Sequence, residues 1–335
     1  MHDIIITGGT VIDGTGSPGV KADVAIGGTR ISELCKASEG KGAMVIDAKG
    51  MVVCPGFVDI HTHSDTYLLS CPLAESKIRQ GVTTELVGNC GGSAAPLVGL
   101  ARKVYAESNK SLWVEVDWST FDEYLLRLSD LRTSVNVASL VGADTLRLGV
   151  IGADDRAPSD DELGEMNNLL ADAMLEGAYG VSSGLIYAPG CFAKTEELIS
   201  LATTAASFGG MYASHIRGEG RTLVDAVAEA IRIGRESGCS VQVSHHKATG
   251  PKNWGLVKTT LAMMERARTE GVDVAFDVYP YTASSTALDT VLPPWARDGG
   301  KEKELERLRD PGTREAMKKE FPDRETEWEN TVAED

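Results

Sequence analysis

No stretch of the 335-residue sequence approaches the ~20 consecutive apolar residues that a membrane-spanning helix needs. The amino terminus, Met1-His2-Asp3-Ile4-Ile5-Ile6, lacks the basic start and long apolar run of a secretory signal. Together these absences predict a cytoplasmic protein with no membrane partner. Positive charge is also in short supply. The 33 Lys and Arg stand against 49 Asp and Glu, a net charge of −16 that repels phosphate backbones and sets nucleic acid aside as a partner. Compact cysteine spacing is missing too: Cys35, Cys54, Cys71, Cys90, Cys191 and Cys239 are scattered, which argues for free thiols or a single metal ligand over a disulfide framework.

What is present divides the chain. The first fifty-odd residues read as short strands separated by glycine turns: Ile4-Ile5-Ile6, Thr10-Val11-Ile12, Val24-Ala25-Ile26 and Met44-Val45-Ile46. From Phe57 the pattern becomes strand then helix, repeated at the spacing of a parallel α/β sheet with helices packed outside. Strands are predicted at Phe57 to His61, Val82 to Val87, Val135 to Leu140, Gly180 to Ser183, Met211 to His215, Val241 to His245 and Asp273 to Tyr279. Ser159 and Glu162 stand at capping-box spacing before one intervening helix, and a second runs from Thr222 to Arg235 with Leu223, Ala226, Val227, Ala230 and Ile231 on its apolar face. A (β/α) barrel closes with eight strands, and residues 301–335 read as helix and polar loop, so strand eight is expected to be missing.

Histidine is rare, with six in the chain, so where each one falls is informative. Four end predicted strands. His61 and His63, two residues apart, share a face at the carboxyl end of the first strand, and two imidazoles on one face suit one divalent metal. His215 closes Met211-Tyr212-Ala213-Ser214 and His245 closes Val241-Gln242-Val243-Ser244, which puts both at the rim where barrel active sites lie. Cys90 follows Val87-Gly88-Asn89 just past the second strand, a place where a thiolate can coordinate or bridge metal ions. His246 is expected to face the other way and pack, and His2 to lie on the surface.

Gly8-Gly9-Thr10-Val11-Ile12-Asp13-Gly14 followed by Pro55-Gly56-Phe57-Val58-Asp59-Ile60-His61-Thr62-His63-Ser64-Asp65 resembles the opening of amidohydrolase-superfamily enzymes. Gly88-Asn89-Cys90-Gly91, Ser182-Ser183-Gly184-Leu185-Ile186-Tyr187-Ala188-Pro189-Gly190, Ser214-His215-Ile216-Arg217-Gly218-Glu219-Gly220, Ser244-His245-His246-Lys247 and Tyr279-Pro280-Tyr281-Thr282-Ala283 narrow the resemblance to the N-acyl-D-amino-acid deacylase (D-aminoacylase) branch, over essentially the whole chain. The resemblance implies a TIM-like (β/α)8 barrel with seven strands here and a small N-terminal β-sandwich portion. The implied division is 1–55 for the β unit, 56–282 for strands one to seven, and 283–335 for the start of an insertion that covers the site.

The activity implied is zinc-dependent hydrolysis of N-acyl-D-amino acids to a carboxylate and a free D-amino acid. Cys90, His215 and His245 would form a tight zinc site, and His61 and His63 a second, weaker one. Tyr187 and Lys247, joined by Ser284 or Ser285, would bind the substrate carboxylate or position the acyl part. The proton-carrying Asp of the family ends strand eight and is expected to lie beyond this chain. Two alternatives remain open at this point. A dihydroorotase- or hydantoinase-like cyclic amidohydrolase would share the strand-end histidines but usually carries a bridging lysine, and an inactive metal-binding fragment would share the ligands without turnover.

Overall fold

A computed structural model describes residues 2–35 and 42–324 of the chain. The sequence reading of residues 325–335 lies outside the described residues. The chain separates into two compact units, Met1–Phe57 and Val58–Asp335. In the first, a four-stranded sheet runs in the order Arg30–Cys35, Asp23–Gly27, His2–Thr7, Gly42–Asp47, beside a three-stranded sheet of Val20–Lys21, Thr10–Val11 and Val52–Val53. Arg30–Cys35 was not anticipated. Its residues are mostly polar or exposed, and it is held by antiparallel pairing to Asp23–Gly27 rather than by its own apolar content.

The second unit holds all seven parallel strands that the repeat predicts. Strand one is Phe57–Asp59, strand two Val82–Val87, strand three Asn136–Ser139 with a continuation at Val141–Gly142, strand four Gly180–Gly184, strand five Met211–His215, strand six Ser240–Val243 and strand seven Val274–Phe276. They form two sheets, strands one to three as far as Ser139 and the continuation Val141–Gly142 with strands four to seven, each in sequence order, and every registered pairing from strand two to strand seven is parallel. Strand four is buried at every position, as expected of a parallel strand covered on both faces.

Helices Asp160–Leu175, Thr195–Ser207, Leu223–Ser237 and Leu256–Thr269 pack on one another in succession outside the strands. The predicted capping box forms: Ser159 accepts from the Glu162 amide while the Glu162 carboxylate accepts from the Ser159 amide. The apolar stripe of Leu223–Ser237 is buried as expected, at Leu223, Ala226, Val227, Ala230 and Ile231. Met211 and Ala213 pack inward against Leu86 and Leu140, whereas Tyr212 joins the cluster under the helices, so the inner face of strand five ends on His215. The sheet curls: His61, past the end of strand one, lies 3.2 Å from Asp277, past the end of strand seven. Past strand seven the described elements are short 3-10 turns at Leu288–Val291 and Pro294–Arg297, then helices Lys301–Arg309 and Pro311–Arg324. No helix among the described residues is long and apolar enough to cross a membrane.

Candidate metal centre and substrate cavity

Three strands end earlier than their hydrophobic runs suggest, and side-chain hydrogen bonds gather at each end. Past strand one, the His61 amide donates to its own turn at Asp59 Oδ1 (3.2 Å), and Lys77 Nζ reaches both Asp59 Oδ2 (2.5 Å) and Thr62 Oγ1 (2.9 Å). Past strand six, His245 takes a left-handed backbone at φ +37° while its amide donates to Asp277 Oδ1 (2.7 Å). Past strand seven, Asp277 Oδ2 accepts from Gln242 Nε2 (2.9 Å). Cys90 also has a left-handed backbone, φ +53°, between Gly88 and Gly91 at +76° and +77°. Gly88 is obligatory there, since a Cβ would meet the Leu140 carbonyl oxygen at 2.1 Å.

These departures aim four side chains at one place. Nε2 of His61 lies 3.3 Å from Cys90 Sγ, and Nε2 of His245 lies 3.7 Å from the same sulfur. The far nitrogens of both rings face carboxylates, His61 Nδ1 at 3.2 Å from Asp277 Oδ1 and His245 Nδ1 at 2.8 Å from Glu219 Oε1. A carboxylate behind an imidazole fixes its tautomer and leaves the other nitrogen free for a metal. His215 presents Nδ1 to His245 Nε2 at 3.0 Å. Two groups therefore have donor atoms within 4.8 Å of one another: His61, Cys90 and His245, and His215, Glu219 and His245.

The remaining predicted residues fall around this cluster. The His63 ring centroid is 5.4 Å from that of His61, and His63 lines an adjoining cavity of about 610 Å³ together with Cys90, Tyr187 and Ser285. Ser284 does not line it. Tyr187 packs edge-on to His215 and shares a hydrogen bond of 2.8 Å with Thr286. The Lys247 ammonium is held by Glu219 Oε1 at 2.6 Å. His246 turns away as expected, bonded to Thr260 and packed on Phe276. Sequence reasoning gave no role to Glu219, Asp277, Asp65 or Asp144. Glu219 stood inside the run from Ser214 to Gly220 and Asp65 closed the run through His61 and His63, but nothing marked Asp144 or Asp277 among so many acidic residues.

Burial dominates the electrostatics. It pushes the Cys90 thiol well above its ordinary range, reinforced by the carboxylates of Asp277, Asp144 and Glu219; a bound cation reverses that balance and takes the proton off a ligating thiol. His215 is lowered to about 3 and His63 to about 4, in both cases chiefly by burial, so both imidazoles are neutral and able to ligate. For Glu219 burial acts upward, but the His245 hydrogen bond and the Lys247 charge overcome it and hold the group at about 2. Asp65 is raised to about 7 and Asp144 to about 8, again by burial above all.

The Asp144 shift has a measurable sign. From its ordinary value of 3.8 up to about 8, the unfolded chain has released this proton while the folded chain keeps it, so stability falls as pH rises through that window. Asp144→Asn removes the titration and leaves an oxygen to accept from the Gly184 amide. In metal-free protein it is expected to flatten the decline of Tm between pH 4 and pH 8. Parallel Tm curves for the two proteins would mean that the carboxyl ionises freely in the fold.

The donor set fits a zinc-like ion of intermediate softness: neutral imidazoles and a thiol converge, with carboxylates behind them. His215 Nε2 is buried without a hydrogen-bond partner, as an atom awaiting a ligand would be.

The profile of the Amidohydrolase family matches residues 44–312. Among curated proteins the chain is 43% identical over 289 residues to the N-acyl-D-glutamate deacylase of Alcaligenes xylosoxydans xylosoxydans, covering 85% of this chain and 58% of that one. It is 40% identical over 299 residues to the D-aminoacylase of the same organism, covering 87% and 60%. Among solved structures it resembles the N-acyl-D-glutamate deacylase of Bordetella bronchiseptica, complexed with zinc and a phosphonate inhibitor, at a TM-score of 0.79 and 40% identity over 84% of this chain and 59% of that one. The chain thus spans about three-fifths of the length of these relatives. The likeness to N-acyl-D-amino-acid deacylases that the motifs carried holds across sequence and structure, and with the family profile matched over most of its length the chain belongs to the amidohydrolase family.

Proposed function

We propose that this chain carries the metal centre and part of the substrate cavity of a zinc-dependent N-acyl-D-amino-acid deacylase built on a (β/α)8 barrel. The observation that carries the reading is the convergence of His61 Nε2 and His245 Nε2 on Cys90 Sγ, each ring backed by its own carboxylate. A cyclic amidohydrolase that relies on a bridging lysine has less support, because the residue placed between the imidazoles is a cysteine. The curl that brings the ends of strands one and seven together supports the barrel.

Zinc held by these residues would supply a Lewis acid for the acyl carbonyl and a water nucleophile near neutral pH. Cys90, His215 and His245 are the proposed tight ligands, and His61 and His63 the weaker set. The closeness of Cys90 to both His61 and His245 supports a thiolate shared between the two. Glu219 fixes the His245 tautomer and neutralises Lys247, and Asp277 does the same for His61. Tyr187 and Lys247, with Ser284 or its neighbour Ser285, are proposed to hold the substrate; that Tyr187 and Ser285 both line the cavity supports their part in it. Asp65 and Asp144 are carboxyl groups that line the cavity, and burial raises both, to about 7 and about 8. The family resemblance assigns the proton carrier to an aspartate on strand eight.

The test is zinc content by elemental analysis together with release of free amino acid from N-acetyl-D-methionine, N-acetyl-L-methionine and N-acetyl-D-glutamate, with dihydrouracil as the cyclic competitor. Bound zinc is expected, with any release confined to the D-enantiomers. The ratio of kcat/KM for the D-methionine and D-glutamate compounds then reports the side-chain preference. Zinc-dependent opening of dihydrouracil without release of a D-amino acid would overturn the deacylase reading in favour of the cyclic one.

A further inference from the structure

The Cys90 side chain reaches the cluster only because its backbone sits in the left-handed region, which disfavours any residue with a Cβ. Such a turn has to be held in place by its surroundings. Its two ends, Gly88 and Gly91, expose four backbone hydrogen-bonding groups, and each has a partner. The Gly88 amide donates to Asp65 Oδ1 (2.8 Å), and the Gly91 carbonyl accepts from the Thr145 amide (3.1 Å). The other two go to one side chain. The Gly91 amide donates to Ser182 Oγ (3.0 Å), and the same hydroxyl donates to the Gly88 carbonyl (2.5 Å).

Ser182 lies on strand four and has no solvent exposure. Its hydroxyl, acceptor on one side and donor on the other, spans the turn beneath Cys90. The bed around it has no slack: a Cβ on Gly142 would stand 2.1 Å from the Gly91 carbonyl oxygen, and one on Gly184 would stand 2.3 Å from that of Cys90. Ser183, next in sequence, points elsewhere and bonds Tyr212 and Ser214.

We infer that Ser182 is a positioning residue for Cys90: its hydroxyl closes the Gly88–Gly91 turn and thereby sets where the sulfur meets a metal. The inference rests on the metal site proposed above. Removing the hydroxyl leaves the Gly91 amide and the Gly88 carbonyl without their partner and releases the turn, while every ligand side chain stays in the protein.

The experiment measures zinc affinity by competition with a chelating dye, and records the near-ultraviolet thiolate-to-metal band of the cobalt(II) form, for wild type, Ser182→Ala and Asn167→Ala. Asn167, on helix Asp160–Leu175, bonds Ser200 and Thr204 of the next outer helix, so its loss destabilises the protein without touching the turn. Ser182→Ala is expected to weaken zinc binding by about 10- to 100-fold, the range seen when the residues that orient metal ligands are lost, and to shift or weaken the cobalt band. Asn167→Ala should match wild type in both. Should Ser182→Ala fail to fold, Ser182→Gly removes the same hydroxyl and is read in the same way. Wild-type affinity with an unaltered band in the Ser182 variant overturns the clamp and leaves the metal site standing. A wild-type protein that binds neither metal overturns both.

Discussion

Cys90→Ala is expected to yield a protein with little or no zinc after purification, its affinity reduced by more than about 100-fold and so beyond the 10- to 100-fold that loss of an outer partner costs. The prediction follows from geometry rather than from the thiol's acidity. Burial raises Cys239 as well, to about 11, yet Cys239 only donates to the Gly210 carbonyl (3.3 Å) and meets no imidazole. Cys90 is the point at which two imidazole nitrogens from opposite ends of the chain come together. Cys239→Ala should therefore keep its zinc, and elemental analysis of the two variants side by side decides the matter. Equal zinc in both would make Cys90 an ordinary buried thiol and remove the centre of the proposed site.

The second large effect concerns stability. Arg147 is 1% exposed and Glu197 5%, and Arg147 Nη1 lies 2.6 Å from Glu197 Oε2, tying helix Ala143–Val150 to helix Thr195–Ser207. The guanidinium also donates to the Arg156 carbonyl, while its Nε has no partner. Arg147→Met leaves the Glu197 carboxylate buried beside an apolar side chain, a change that costs about 3–5 kcal/mol. With a melting shift of roughly 2–4 °C per kcal/mol for a unit of this size, Tm should fall by roughly 6–20 °C. The double variant Arg147→Met/Glu197→Leu removes both charges and should regain most of that loss, because a buried ion pair gains little over apolar residues of similar volume. A fall of less than about 1 kcal/mol in the single variant, measured by denaturant unfolding, would show that water reaches the pair.

How much of this could be read in advance depended on whether local sequence carried it. The seven strands were legible from their places in the strand-then-helix repeat, and the helix at Leu223–Ser237 because its stripe repeats at helical spacing. The strand-end histidines and Cys90 were legible as residues of scarce types in repeated places. The ends themselves were not. Nothing in Val241-Gln242-Val243-Ser244-His245 announces that His245 leaves the strand at φ +37°, because its amide is held by Asp277, just past the end of the next strand. The partners of the imidazoles were hidden for a related reason. Asp277 meets His61 across 216 residues of chain, a contact created by the curl of the sheet, and Glu219 became distinguishable from other acids only when it was seen behind His245. The grouping of His61 with Cys90, which the family resemblance had put in different sets, is likewise a product of closure.

The same convergence ties the chain's topology to its chemistry. Cys90 and His245 are 155 residues apart, and the three strands between theirs form the middle of the parallel sheet. A cation gripping both would close that whole stretch into a ring, as a disulfide would, and restricting the unfolded chain over such a loop is worth about 5 kcal/mol. The ligands would then serve the protein twice, as electrophile holders at the rim and as a removable cross-link that keeps the sheet curled, so that a chelator would threaten the architecture as well as the reaction.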